Sequence, residues 1–289
     1  MVISITFVFM HAIPGGIYTS EKNLPPAIVD NIKAKYGLNL PLGEQYVLQL
    51  KNIAKLDFGI SMKNAGRKVN DIIAQQFPRS ARLGAVAISL CLLIGIPLGI
   101  LSALKVDKWQ DRMAMIIATI GVSVPGFVIA ILAQYFLGVR LKILPTIGDK
   151  TFLHLILPGV ALSFFPMSFI ARLVRSSMVE VLGQDYIRTA KAKGLSDMVV
   201  IYKHALKNSI MPVITYLGPL IAGILTGSFV IETVFSIPGL GRYFVTSISN
   251  RDYTVILGVT VFYSLFLILM NLVVDIVYVL IDPRIKLSD

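Results

Sequence analysis

The side chains that could do chemistry in this chain are few and widely separated. The three histidines, His11, His154 and His204, do not form the H-E-x-x-H pattern of a zinc protease, and no G-x-S-x-G places a nucleophilic serine. The single cysteine, Cys91, excludes an internal disulfide and any multi-cysteine metal site. The sequence also lacks the G-x-x-x-x-G-K-[ST] loop that holds ATP phosphates. We therefore expect no catalytic site, cofactor or metal in this chain.

The composition is that of a membrane protein. Of the 289 residues, 55% are hydrophobic and only 15% are charged, and the mean hydropathy is +0.76. A soluble domain carries about 25% charged residues, so the composition argues against a cytosolic enzyme. The net charge of +11 could indicate a nucleic-acid partner or the basic cytoplasmic loops of a membrane protein.

Five stretches contain no Asp, Glu, Lys or Arg and are long enough to cross a bilayer core of about 30 Å as helices. They are Leu83–Leu104, Met113–Val139, Phe152–Ala171, Asn208–Ile231 and Tyr253–Val274, the last expected to continue as a helix to residue 281. Residues 1–13 are apolar but short. We expect a first span whose opening turns precede this sequence, with a cleaved signal peptide as the alternative. The predicted fold class is all-α, a polytopic membrane protein with about six transmembrane helices.

The basic residues predict the orientation of these spans. Twelve Lys and Arg lie in residues 105–112, in a long segment at 172–207 and in the tail at 282–289, whereas the short loops of the opposite face carry five. By the positive-inside rule, both termini are cytoplasmic in a plasma (inner) membrane. The charge then has an explanation that needs no nucleic acid. The domain that contains the later spans is expected at 81–281.

Residues 14–80 are expected to form an extracytoplasmic helical region. One helix opens at Pro25-Pro26 and is ended by Gly37, a second begins at about Leu42, and a third contains Val69 and Phe77 and ends at Pro78. Both a helical cap on the membrane and a docking surface for an external partner are open interpretations.

The spans contain features of mobile, closely packed helices rather than of an ion-driven carrier. Ion-coupled carriers place ionisable groups in mid-membrane, but here Glu232 and Asp275 lie at the ends of spans, where each is expected to pair with an Arg or to cap a helix. The patterns Gly95-x-x-x-Gly99 and Gly223-x-x-x-Gly227 predict close helix packing. Kinks are expected at prolines within the spans, namely Pro97, Pro125, Pro158, Pro166, Pro212 and Pro219.

The segment from Arg172 to Pro212 contains the most specific local pattern. Gly194 is placed to end one short helix in a left-handed conformation, and Ser196 is placed to cap a second helix at Met198–Lys207. Two short helices at an angle, basic on one side, would form a docking surface for a partner. A basic helix lying on anionic lipid is the alternative, but it does not explain the glycine and the capped second helix.

This segment resembles the cytoplasmic loop of ABC-importer permeases, in their oligopeptide/dipeptide branch. The stretch YIRTAKAKGLSDMVVIYKHALKNSIMP has Arg188-Thr189-Ala190 where the general family pattern has EAA, Gly194 at its glycine, and His204–Lys207 over its I-x-L-P. The departures from the general pattern resemble the peptide-permease variant. Three further stretches agree with the family, namely Glu232–Gly241 (ETVFSIPGLG) with Arg251-Asp252-Tyr253, Asp282–Ile285, and Ile13–Gly16 in place of its A-P-G-D turn.

The resemblance implies a type I ABC importer permease that translocates peptides across a bacterial or archaeal plasma membrane. It implies three kinds of partner besides the lipid bilayer: a second, similar permease, two ATP-binding subunits that hold ATP and Mg²⁺, and an extracytoplasmic solute-binding protein. The implied ATPase-coupling residues are Tyr186, Arg188, Thr189, Ala190, Lys193, Gly194, His204, Leu206, Asn208 and Pro212. The implied residues of an outer gate are Glu232, Phe235, Pro238, Gly239, Gly241, Arg251, Asp252 and Tyr253.

Other functions stay open on the sequence alone. A permease of the same family for nickel or another small solute would have the same motifs, although no rich acidic or histidine cluster is present. A stand-alone carrier or channel would transport without an ATPase. A membrane scaffold or sensor would bind no ATPase subunit at all.

Overall fold

The computed structural model describes residues 2–12, 37–64 and 66–281, and in these residues the chain is helical, with no strand beyond an isolated antiparallel bridge between Ile60 and Lys68. The expected turn at Ile13–Gly16, the helix opening at Pro25-Pro26 and the motif at Asp282–Ile285 lie outside the described residues. The helices before the long central segment are α1 (Val2–Ala12), α2 (Leu42–Ala54), α3 (Val69–Leu104), α4 (Trp109–Ser123) and α5 (Gly126–Ala133), which continues as a π-helix at Gln134–Arg140.

The remaining helices follow in chain order. They are α6 (Phe152–Leu182), α7 (Asp185–Ala192), α8 (residues 197–209), α9 (Met211–Leu225), α10 (Phe229–Val234), α11 (Leu240–Ser249) and α12 (Tyr253–Ile281). Within α8, Asp197–Val199 and Leu206–Ser209 are α-helical, and Val200–Ala205 between them is a π-helix.

Several helices are long and apolar enough to cross a membrane. Among the described residues four segments meet that length and composition, and the bent pair α4 and α5 makes a fifth if it is counted as one span. The four are α3, α6, Met211–Val234 and α12 from Tyr253 to Val277. The predicted all-α polytopic fold class is therefore confirmed. With its 11 residues, α1 is too short for this test, and a sixth span stays a prediction.

Two of the predicted spans are broken rather than straight. Val124 has an extended conformation (φ −88°, ψ 125°) because a residue that precedes proline avoids the helical region, and the helices before and after it differ in direction by 105°. Gly227 has φ +97°, a conformation that glycine adopts at little cost. The chain leaves α9 at Leu225 and starts α10 at Phe229. A kink was expected at Pro125, and the bend lies there, whereas the break at Gly227 was not expected, because that glycine was assigned to helix packing.

The first long helix also differs from the prediction. Pro78 does not end it, since α3 runs from Val69 to Leu104 with Pro78 inside. Ser80 and Leu83 are fully buried in the turns that follow, and this burial stabilises the helix beyond the proline. The predicted domain boundary at residue 81 lies within this continuous helix.

The chain forms two compact units. The first contains the described residues up to Gln76 together with Tyr243–Leu265, and the second contains Phe77–Arg242 together with the described residues from Phe266 onward. In the first unit, Phe7 and Met10 of α1 pack with Leu257 and Val261 of α12. In the second, the largest apolar cluster joins α3, α6, α7, α8 and α9, and its buried members include Cys91, Ile170, Met178, Ile187, Val200 and Val213.

The first of the two glycine pairs packs as predicted, and the second does not. A Cβ atom added to Gly95 would lie 2.8 Å from the Met167 carbonyl oxygen, and one on Gly99 would lie 2.6 Å from that of Ala171. Therefore α3 and α6 approach closely. A Cβ atom on Gly223 would meet nothing within 4 Å, and Gly227 lies in the break after α9, so close packing through that pair was a wrong prediction.

Candidate functional site

Gly194 ends α7 in the conformation that the sequence predicts. Its φ is +75°, its N–H donates to the Lys191 carbonyl at 2.9 Å, and the Leu195 N–H donates to the Ala190 carbonyl at 3.4 Å. These two bonds form a Schellman motif, which satisfies carbonyls that the helix end leaves unpaired. The expected sharp turn at Gly194 is confirmed.

The second short helix begins where it was predicted but in a different way. Ser196 occupies the N-cap position, yet its side chain makes no capping hydrogen bond; instead its carbonyl accepts from the Val200 N–H at 3.0 Å. The helix then widens into a π-helix at Val200–Ala205. The expectation of a side-chain cap was wrong, and the π-helix had no signal in the sequence pattern. Below, residues 185–209 are called the hinge segment.

The hinge segment packs against the other helices of the second unit through its apolar side. Ile187, Ala190, Val200 and Ala205 are buried and pack in the same cluster as Met178 of α6. Ala190 therefore contacts the core of this chain rather than forming part of an exposed surface.

A hydrogen bond between side chains joins the two ends of the hinge segment. The Asn208 amide donates to the Tyr186 hydroxyl at 2.7 Å and to the His204 carbonyl at 3.3 Å, so three of the predicted coupling residues lie together. Leu206 packs at the edge of the apolar cluster, and Pro212 lies in the first turn of α9.

The opposite side of the hinge segment is exposed and combines cations with apolar side chains. Arg188, Thr189 and Lys193 are exposed, as are the large apolar residues Tyr186, Leu195, Met198, Val199 and Tyr202. Met198 is 64% exposed. Exposed apolar groups rimmed by charge are typical of a protein-docking surface.

The stretch ETVFSIPGLG is organised around the buried carboxylate of Glu232. Its Oε1 accepts from the Ser80 hydroxyl at 2.6 Å, and its Oε2 accepts from the Arg242 backbone N–H at 2.7 Å. Ser80 Oγ in turn accepts from the Leu240 N–H at 2.8 Å. Leu240 and Arg242 are in the first turn of α11, whose N–H groups have no partner within the helix. Glu232 therefore acts as a helix cap, one of the two roles expected for it.

The rest of this stretch is shaped by close backbone contacts. A Cβ atom on Gly239 would collide with the Glu232 carboxylate, and one on Gly241 would lie 3.0 Å from the carbonyl carbon of Gly227. Phe235 is buried, and its carbonyl accepts from the Gly148 N–H at 2.8 Å. Pro238, beside Gly239, is half-buried. A side chain at Gly239 would therefore collide with the buried carboxylate, and one at Gly241 would crowd the backbone of Gly227 and Phe229.

The other half of the predicted gate set lies in the first unit. The Asp252 carboxylate accepts hydrogen bonds from the Ser61 hydroxyl, from the Met62 N–H at 3.1 Å and from the Lys63 N–H at 3.3 Å. It also accepts from the Val255 N–H at 3.3 Å, which caps α12 where that helix begins at Tyr253. The turn at 61–63 is thereby joined to the start of α12. Because Glu232–Gly241 is in the second unit, a single gate made of both halves stays a prediction.

Tyr243 completes the contacts of that turn. Its hydroxyl accepts from the Asn64 amide at 2.7 Å, and the Arg67 guanidinium lies 5.7 Å from its ring centroid. Burial raises the pKa of the Tyr243 phenol. Arg251, adjacent to Asp252, has a positive φ of 56°.

An apolar cavity of about 540 Å³ lies in the second unit. It is lined by residues next to both helix breaks, Gly126 and Phe127 after the first and Ser228 and Val230 after the second, and by Tyr216 between them. The cavity therefore lies beside both helix breaks.

Sequence reasoning missed four side chains that the structure makes central. Ser80 and Ser61 carry no signal, since a lone serine in a helix or turn is common. Asp111 and Arg175 did carry one, because they are opposite charges close to the ends of neighbouring charge-free stretches. The Arg175 guanidinium binds the Asp111 carboxylate at 2.6 Å.

The comparisons with known proteins decide the family. A model of the family described as "Binding-protein-dependent transport system inner membrane component" matches residues 95–287. The chain belongs to this family. It is thus a component of a membrane transport system, as the sequence motifs predicted.

Curated relatives match over nearly the whole chain. The dipeptide transport system permease protein DppB of Bacillus subtilis is 50% identical over 99% of this chain and 93% of its own length. The oligopeptide transport system permease protein OppB of Haemophilus influenzae is 44% identical over 99% of this chain and 94% of its own.

Solved structures confirm the fold. A chain of the methionine ABC transporter MetNI, in an inward-facing conformation, matches with a TM-score of 0.57 and 19% identity, covering 71% of this chain and 96% of that one. A chain of an amino acid ABC transporter solved with histidines matches with a TM-score of 0.56 and 14% identity, covering 75% and 95%. The fold is that of an ABC importer permease.

Proposed function

We propose that this chain is the permease subunit of an ATP-driven importer that moves dipeptides or oligopeptides across the plasma membrane. The observation that carries the proposal is full-length similarity, at 50% identity, to a permease named for dipeptide transport, together with similarity at 44% to one named for oligopeptides. A nickel permease and a stand-alone carrier are the alternatives.

The partners follow from the family. A second permease of the same fold would complete the transmembrane pathway, two ATP-binding subunits would hydrolyse ATP, and an extracytoplasmic binding protein would deliver the peptide. The hinge segment would dock on one ATPase subunit through its exposed side. Alternating access then requires that the ATPase bind one permease conformation better than the other. Both termini and the hinge segment would be cytoplasmic, the orientation that the basic residues favour.

Reconstitution tests the substrate. The chain is purified with the second permease, the ATPases and the binding protein of its transport system and placed in liposomes, and uptake of a labelled dipeptide, a labelled tetrapeptide and Ni²⁺ is compared. We expect peptide uptake that needs both ATP and the binding protein. Uptake of Ni²⁺ alone would favour the first alternative, and flux through liposomes that contain only this chain would favour the second.

A cross-link tests the docking surface. Cys91 is buried, and a Cys91→Ala background removes the only native thiol. Lys193→Cys on the exposed side of the hinge segment should cross-link to a cysteine on the ATPase subunit. Lys150→Cys, exposed in a short loop assigned to the opposite face, is the matched control and should not cross-link. A Lys150 cross-link with none at Lys193 would contradict the proposed orientation.

A further inference from the structure

Asp111 and Arg175 form a nearly enclosed ion pair in the second unit. The Arg175 Nε lies 2.6 Å from Asp111 Oδ1, and its Nη2 lies 2.7 Å from Oδ2. The side chain of Asp111 is only 4% exposed and that of Arg175 is 27% exposed. Two parallel N–H···O bonds fix the direction of both side chains, which a single contact would not.

The same carboxylate also holds the loop between α3 and α4. The Ser102 hydroxyl, near the end of α3, donates to Oδ1, and the Asp107 backbone N–H donates to Oδ2 at 3.0 Å. Each oxygen of Asp111 therefore accepts two hydrogen bonds. The end of α3, the loop and the first turn of α4 are all joined to α6 through this one carboxylate.

Arg175 is placed on the helix that leads directly into the hinge segment. After Arg175, α6 continues to Leu182, and only Gly183 and Gln184 separate it from α7 at Asp185. Seven residues of helix span about 10 Å. A displacement of the hinge segment is therefore transmitted to Arg175 along a short, continuous helix.

A second contact fixes α4 to α6 near the other end of α4. Gly121 lies so close to Ser168 that a Cβ atom on the glycine would collide with the serine hydroxyl. About three turns beyond the ion pair and just after Gly121, α4 ends at the bend before Pro125. With the ion pair at one end and this close contact at the other, α4 cannot slide along α6.

We propose that the Asp111–Arg175 ion pair couples the hinge segment to the bent span, by making α4 follow α6 when an ATPase subunit moves the hinge segment. Both residues are positioning residues. They transmit the movement that changes the bend at Pro125, and they contact neither ATP nor peptide. This inference rests on the proposed function, since it requires an ATPase to move the hinge segment.

A purely stabilising role makes a different prediction. Loss of one partner leaves a buried charge unpaired and is strongly destabilising, whereas replacement of both partners by uncharged side chains avoids that cost. The double variant Asp111→Asn/Arg175→Gln therefore removes the ion pair without leaving an unpaired charge. A stabilising pair would leave this variant functional, and a coupling pair would not.

The experiment uses the full reconstituted complex and measures peptides imported per ATP hydrolysed. For Asp111→Asn/Arg175→Gln we expect an assembled complex whose ratio falls roughly tenfold. The control is Arg79→Gln/Asp149→Asn, which neutralises a looser ion pair of the same unit (3.8 Å, 43% and 27% exposed) and should keep the ratio of the wild type. A wild-type ratio in the Asp111/Arg175 double variant would overturn the inference.

Arg175→Lys keeps the charge but cannot form the two parallel bonds, so it tests the geometry even if the double variant fails to assemble. We expect its ratio to fall about threefold; an unchanged ratio would overturn the inference as well. Failure of the proposed function is distinguishable, because then the wild-type complex itself would show no ATP-driven peptide uptake.

Discussion

The hydroxyl of Ser80 donates to the Glu232 carboxylate at 2.6 Å and accepts from the Leu240 N–H at 2.8 Å, although Ser80 and Glu232 are 152 residues apart in the chain. One side chain of α3 therefore holds both a buried acid and the start of α11. The hydroxyl of Ser80 therefore joins the ETVFSIPGLG stretch to α3.

Ser80→Ala should destabilise the protein by about 1–3 kcal/mol, because the Oε1 atom of the buried Glu232 carboxylate loses its donor and the Leu240 N–H loses its acceptor. Thermal unfolding of the purified complex measures the change. The control is Ser89→Ala in the same helix, where the hydroxyl is exposed and bonds only the Ala85 carbonyl; its effect should stay within about 0.5 kcal/mol. Equal melting temperatures for the two variants would contradict the role of Ser80.

Gly99→Ala should lower stability by about 1–3 kcal/mol through overpacking. Its Cβ would lie 2.6 Å from the Ala171 carbonyl oxygen and 2.7 Å from Val174 Cβ, so α3 and α6 must separate. Gly223→Ala is the matched control, because a Cβ there meets nothing within 4 Å. The melting temperatures of the two variants check the prediction. A loss at Gly223 as large as that at Gly99 would show that the packing is wrongly assigned.

Substitutions at Gly194 should reduce coupling in a set order. The φ of +75° is tolerated by Asn and costs other residues about 1–2 kcal/mol, while open space around the Cβ position removes steric conflict inside the chain. We expect Gly194→Asn to keep most peptide-stimulated ATPase activity, Gly194→Ala to lose part of it, and Gly194→Trp to lose it by blocking docking. Normal stimulation in the Trp variant would refute the role of Gly194.

Asp252→Ala should release the turn at 61–63. Four donors lose their acceptor, among them the Ser61 hydroxyl and the Met62 N–H, at a cost of about 1–3 kcal/mol or more. We expect faster cleavage near this turn in limited proteolysis. Glu44→Ala, at an exposed acid of the first unit, should leave the cleavage rate unchanged. If the two variants are cut equally fast, the turn does not depend on Asp252.

Local sequence patterns predicted where helices lie, but they did not predict the break in the helix at Gly227. The charge-free stretch from Phe152 identifies α6, and Gly194 identifies the end of α7, because apolar length and a C-terminal glycine are local signals. Gly227 was assigned to helix packing and instead breaks a helix. A glycine in an apolar run suits either role, and only its three-dimensional neighbours decide between them.

The contacts that hold the candidate site together could not be predicted in the same way. Ser80 reaches Glu232 over 152 residues, and Arg175 reaches Asp111 over 64. No periodicity relates such positions. The motif around Glu232 was visible through family resemblance, but its cap role became specific only when the N–H groups of α11 were located beside it.

Peptide uptake by the reconstituted complex is the most direct test of the account. Liposomes that contain this chain, its second permease and both ATPases should accumulate a labelled dipeptide or oligopeptide against its gradient. Accumulation should require both ATP inside, on the side of the hinge segment, and loaded binding protein outside. Uptake that proceeds without the ATPase subunits, or a complete complex that hydrolyses ATP yet never accumulates peptide, would contradict the central claim.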